Sequence, residues 1–143
     1  MASTTFSGPI KSGTQRDPQN SNVGTTLLVQ STIVTRDATL TQHAAPITLP
    51  ANAEIVDIVV TPTVFYDSAT SATLTVGTAQ SGTQFASGVD VKTGGPKRPT
   101  TTAAQAALWR DIGATNLALY PTVTSVGQPS VGTVTVSVVY RQR

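Results

Sequence analysis

Apolar and polar residues alternate along most of this chain, and the alternation predicts strands. In the clearest stretch Val56, Ile58, Val60, Val64 and Tyr66 fall on one face while Asp57, Thr61 and Thr63 fall on the other, the period-two pattern of a half-buried strand. Pro62 interrupts that stretch and cannot donate to a ladder, which predicts a bulge or a sheet edge there. Ala72, Leu74 and Val76 alternate in the same way, and the intervening Asp67-Ser68-Ala69-Thr70-Ser71 reads as the reversal of a hairpin. Two more strands close the chain: Leu117, Leu119 and Val123 share a face, then Val134, Val136, Val138 and Tyr140 do. Upstream, Leu27 to Arg36 is a β-branched run with imperfect alternation, Thr39 to His43 fits a shorter strand, and Asn52-Ala53 after Leu49-Pro50 fits a turn.

Elsewhere the pattern weakens. Gly77 to Gly95 is punctuated by glycine, with short strands expected around Phe85 and at Val89 to Val91. Thr100 to Ile112 is the one helical stretch: Ala103, Ala104, Ala106, Ala107 and Leu108 have high propensity, Thr102 can cap the start, and Gly113 stands where a C′ glycine is expected. Residues 1–26 show no periodicity that would bury a face, and Phe6, Ile10 and Val23 are their sizeable apolar side chains. The expected organisation is an extended N-terminal arm over 1–26 and one β-sandwich domain over 27–143, all-β with one short helix, and a jelly roll as the preferred arrangement.

Composition agrees and narrows the chemistry. The 143 residues suit one domain, and 26 Thr with 17 Val favour pleated strands and exclude a helical bundle. Only 11% of residues are charged, so the surface is polar through hydroxyls. There is no Cys, which excludes disulfides, thiolate zinc sites and a Cys nucleophile. The N-terminus lacks the pattern of a secretory signal and no apolar run approaches ~20 residues, so a membrane partner is not expected. A net charge of +2 without a Lys/Arg cluster among aromatics does not support nucleic-acid binding.

No catalytic constellation emerges. His43 is the single histidine and no Gly-x-Ser-x-Gly elbow is present, so a structural or exposed histidine is the simpler reading. The acids Asp37, Glu54, Asp57, Asp67 and Asp90 stand singly, without metal-ligand spacing, and neither cofactor nor metal is expected. Thr93-Gly94-Gly95-Pro96-Lys97-Arg98 lacks the spacing of a phosphate loop. The chain does order its charges: from Asp37 to Asp90 all are acidic, and from Lys92 to Arg110 all are basic. One explanation is balance within the molecule. The other is a head-to-tail contact between copies in which Lys92, Lys97, Arg98 and Arg110 of one meet Glu54, Asp57 and Asp67 of the next, the arrangement that closes into a ring such as a trimer. Trp109 is read as core, with an interface anchor as the alternative.

The residues also carry a resemblance. Ile47-Thr48-Leu49-Pro50-Ala51-Asn52-Ala53-Glu54-Ile55-Val56-Asp57-Ile58, Tyr66-Asp67-Ser68, Ala72-Thr73-Leu74-Thr75-Val76-Gly77-Thr78, Phe85-Ala86-Ser87-Gly88-Val89-Asp90-Val91 and the ending from Gly132 to Tyr140 are similar to small proteins of tailed bacteriophages encoded near the major capsid protein. The opening Thr4-Thr5-Phe6-Ser7-Gly8-Pro9 is similar too. The resemblance implies a capsid decoration, or cement, protein: a non-enzymatic β-sandwich that trimerises and clamps neighbouring subunits of the major capsid protein on the outside of the head, made in the host cytoplasm. The arm would then order on the capsid, with Phe6, Pro9 and Ile10 as apolar contacts and Lys11 and Arg16 meeting acidic surface. The alternative is a head-fibre, tail or adhesion module that binds a host receptor or glycan, for which three Tyr, three Phe and one Trp offer few stacking platforms.

Overall fold

The computed structural model describes residues 26–68 and 70–142. Eight strands and one helix follow one another as β1 (Leu28–Thr35), β2 (Thr41–His43), β3 (Ile47–Leu49), β4 (Ala53–Val64), β5 (Ser71–Gly77), β6 (Ala86–Asp90), α1 (Ala103–Arg110), β7 (Leu117–Val126) and β8 (Thr133–Gln142). They build an all-β sandwich. One sheet has the order β1-β8-β4; the other runs β2-β7-β5-β6, with β3 also beside β7, and all the pairings are antiparallel.

The central strands are those with the cleanest alternation. Val134, Val136, Val138 and Tyr140 of β8 point inward, as do Leu119 and Val123 of β7, and together with Ala72, Leu74 and Val76 of β5 they join one core. β8 pairs with β1 in unbroken register, Leu28 opposite Tyr140 through to Thr35 opposite Thr133. In β7 the ladder toward β2 and β3 is split at Pro121. Its carbonyl accepts from the Ala44 amide at 3.3 Å, but the ring leaves no N–H to return on the same side, and β2 ends before that point while β3 begins after it.

Several expectations are corrected. β4 and β5 do not form a hairpin: the reversal at 65–70 carries the chain from one sheet to the other. Val56 and Val64 are each 45% exposed instead of buried with Ile58 and Val60. The cause is a pair of register shifts against β8, between Ile55 and Asp57 and between Pro62 and Val64. Each inserts a residue and reverses the phase of the alternation, so the inward set is Ala53 and Ile55, then Ile58, Val60 and Pro62. Pro62 does mark a bulge, and β4 is the edge of its sheet. The strands expected around Phe85 and at Val89 to Val91 are one strand, β6, and Ile47–Leu49 forms the unanticipated β3.

The turn expected at Asn52-Ala53 after Leu49-Pro50 forms over 50–53, with the Ala53 amide donating to the Pro50 carbonyl at 3.2 Å and Asn52 at a φ of 60°, a conformation that Asn tolerates better than most residues. Helix α1 starts at Thr102 in a reciprocal capping box with Gln105. Its C-cap is Asp111 in extended conformation, so Gly113, with a φ of 93°, lies one residue beyond the C′ position assigned to it. Past the helix, the Ile112 amide donates to the Ala53 carbonyl and the Asn52 amide to the Gly113 carbonyl, tying the segment to the start of β4.

Candidate functional site

The candidate catalytic residues are not assembled into one site. His43, exposed at the end of β2, has its Nδ1 3.1 Å from the Thr122 hydroxyl, which also accepts from the Ser81 amide at 3.0 Å. That bond ties β2 to β7; the hydroxyl it engages is fully buried, and the nearby Asp37 carboxylate accepts from the Thr39 amide and hydroxyl. Asp57 on β4 and Asp67 in the crossover are held by different partners, Arg98 and the Ser130–Val131 turn. Among the described residues no group of three or more His, Asp or Glu could hold a metal ion, and no helix is long and apolar enough to cross a membrane. An open groove of about 380 Å³ runs beside Gly88, Val89, Asp90, Lys97, Arg98 and Pro99. Its charged groups are already engaged, Lys97 with Asp90 and Arg98 with Asp57.

Lys97 bridges two elements. Its backbone pairs with Val60 on the free edge of β4, both hydrogen bonds at 2.8 Å, and its Nζ donates to the Asp90 carboxylate at 2.6 Å, the Asp90 carbonyl at 2.8 Å and the Thr93 hydroxyl at 2.6 Å. Burial pushes the Asp90 carboxyl up, but hydrogen bonds from Lys97, Thr93 and the Lys92 amide, together with the Lys97 charge, outweigh it and hold the group at about 2. Lys92 Nζ donates to the carbonyls of Ser68 and Thr70 in the crossover between sheets. Arg98 pairs with Asp57 on β4, and Arg141 of β8 donates Nε and Nη2 to Glu54 at 2.9 and 2.7 Å. Asp67 accepts from the Ser130 amide and hydroxyl and from the Val131 amide, clamping the crossover to the β7–β8 turn, and these bonds lower its pKa.

Three ion pairs form among the described residues, Lys97 with Asp90, Arg98 with Asp57 and Arg141 with Glu54. Arg110, exposed at the end of α1, takes part in none of them. Trp109 is half-buried against the core and its Nε1 donates to the Phe85 carbonyl at 2.9 Å, while Gln105 Nε2 donates to the Thr83 carbonyl at 2.8 Å. Both side chains fasten α1 to the loop before β6. The arm residues Phe6, Pro9, Ile10, Lys11 and Arg16 lie outside the described residues.

What the sequence reading missed is the apolar surface. Leu28, Val29 and Ile33 of β1 are 38%, 59% and 57% exposed, on a strand with one hydrogen-bonded neighbour among the described residues. The signal was available in the imperfect alternation: apolar residues at both parities leave some outside whichever face is buried. A second exposed group, Val64, Phe65 and Val131, lies where β4 ends and β8 is about to begin.

No family model matches the chain, and no curated protein does. Among solved structures, it is similar to a chain of the cyanophage Pam1 capsid asymmetric unit, with a TM-score of 0.60, 20% sequence identity and 99% of each chain covered. At that identity the likeness shows a shared fold, and it extends from end to end.

Proposed function

We propose that this chain is a structural protein of a bacteriophage particle, a decoration or cement protein that sits on the outer surface of the head and bridges neighbouring subunits of the major capsid protein. The observation that carries the reading is the end-to-end likeness to a chain of a cyanophage capsid asymmetric unit, which agrees with the sequence resemblance to phage decoration proteins and shares its fold class. The site chemistry supports it from the other side. Lys97, Asp90, Arg141, Glu54 and Asp67 are engaged in clamping loops and sheets, which suits a structural role. The strand orders, with Lys97 lying against the free edge of β4, support the jelly-roll form of the sandwich.

Such a protein gains affinity by touching several subunits at once. A symmetric oligomer, a trimer on this reading, converts modest contacts into strong attachment through effective concentration. Copies would meet head to tail through the exposed cations Arg98 and Arg110, and the arm with Phe6, Pro9, Ile10, Lys11 and Arg16 would lie along the capsid. The test is truncation: the chain beginning at Leu27 should melt as the full-length protein does and lose binding to particles that lack it. Binding undiminished by the truncation would contradict the role given to the arm.

A further inference from the structure

We infer that the free edge of β1 is a docking strand for β1 of a second copy, the two running antiparallel about a two-fold axis through Ser31 so that their sheets become one. Edge strands left open in monomers carry protection: a charge, a proline, a bulge or short length. β1 carries none of these. It is eight residues long, Leu28 to Thr35 contains neither a charged residue nor proline, and its ladder to β8 has no register shift. Its outward backbone groups have no partner among the described residues.

The occupant follows from the order of side chains. Val29, Ser31, Ile33 and Thr35 lie on the outer face of the sheet, opposite Val139, Ser137, Thr135 and Thr133 of β8, while Val34 is buried on the inner face. A second β1 centred on Ser31 sets Val29 against Ile33 twice on the outer face, and Leu28 against Val34 and Gln30 against Thr32 on the inner face. Apolar meets apolar and polar meets polar, with no like charges opposed. Shifting the axis to Thr32 would set Val29 against Thr35 and Ile33 against Ser31, losing both apolar pairs. Of these two registers, the one centred on Ser31 makes the strand complementary to its own reverse.

The size of the contact sets its strength. Eight residues span about 26 Å, and a strip about 10 Å deep buries roughly 500 Å² over both copies, about half of what a stable interface needs. Pairing should be weak between free molecules and firm between copies held side by side. It asks nothing of a capsid and stands or falls apart from the function proposed above.

Because the protein has no cysteine, single cysteines report the contact cleanly. Opposed Cα atoms in an antiparallel pair lie within disulfide reach, so Ser31→Cys should form a linked dimer on the order of tenfold faster under mild oxidation than Thr78→Cys, an exposed position remote from β1. Adding Ile33→Lys, at an exposed position where folding is not at stake, should remove that advantage with the melting temperature unchanged. Equal rates at the two positions, or linkage indifferent to Ile33→Lys, would overturn the inference. Linkage that appears only after removal of residues 1–26 would overturn it in favour of that segment covering the edge.

Discussion

Asp90 shows how a sparsely charged chain uses its few ions. Its carboxylate collects Lys97, Thr93 and the Lys92 amide and so joins the end of β6 to the segment that lies against β4. A carboxyl held at about 2, below the ordinary 3.8, adds stability that is full above pH 4 and disappears as pH falls toward 2. Urea unfolding should therefore show Asp90→Asn costing up to about 1 kcal/mol at pH 7, since the pair is partly exposed, and costing nothing near pH 2. Tyr66 behaves in the opposite sense. Its hydroxyl is buried without a hydrogen-bond partner among the described residues, and burial, aided by the Asp37 charge, pushes its pKa up to about 12. The neutral form is favoured by folding, so stability present below pH 10 is lost as pH rises toward 12. Tyr66→Phe should be neutral or stabilising at pH 7 and should flatten that alkaline loss, because it deletes an unsatisfied polar atom and keeps the ring. The ring itself is needed: a methyl at Gly132 would stand 2.6 Å from Tyr66 Cγ, so Gly132→Ala should cost about 1–3 kcal/mol in the same assay.

At the scale of elements, β4 tests whether the bulge after Ile55 sets the inward face. Val56 and Ile58 have equal standing in the alternation, yet Val56 is 45% exposed and Ile58 fully buried. Ile58→Ala should cost about 2–5 kcal/mol and Val56→Ala no more than about 0.5, measured by denaturant unfolding. Comparable losses would mean that β4 is not bulged at Ile55. The same strand marks how far the sequence could be read. Strands β5 and β8 were legible because their apolar residues alternate cleanly, β7 because Leu117, Leu119 and Val123 keep one parity around Pro121, and α1 because Thr102 and the alanines announce it. The phase of β4 was not, since a bulge is set by the partner ladder and leaves no mark beyond Pro62. Nor was the crossover after β4: turn residues at Asp67 to Ser71 say that the chain reverses, not which sheet receives it. For the candidate surfaces, the order of the charges was plain, but a run of acids and a run of bases look alike whether they meet within one chain or between two. The register sets Lys97 beside Val60 and Arg98 near Asp57, contacts that no reading of the charge order alone could place.

For the whole molecule, two antiparallel sheets share one continuous core and loops are clamped by aspartates, with neutral hydroxyl-rich surface over much of the rest. That surface suits many copies packed side by side, where strong like charge would repel. The central claim is that the protein coats a phage head in numbers set by the shell. Its most direct test is the copy number of this protein relative to the major capsid protein in purified particles, by quantitative mass spectrometry. The account predicts a ratio near one or a simple fraction of it; a handful of copies per particle, as a fibre or tail module would give, or none at all, would contradict it.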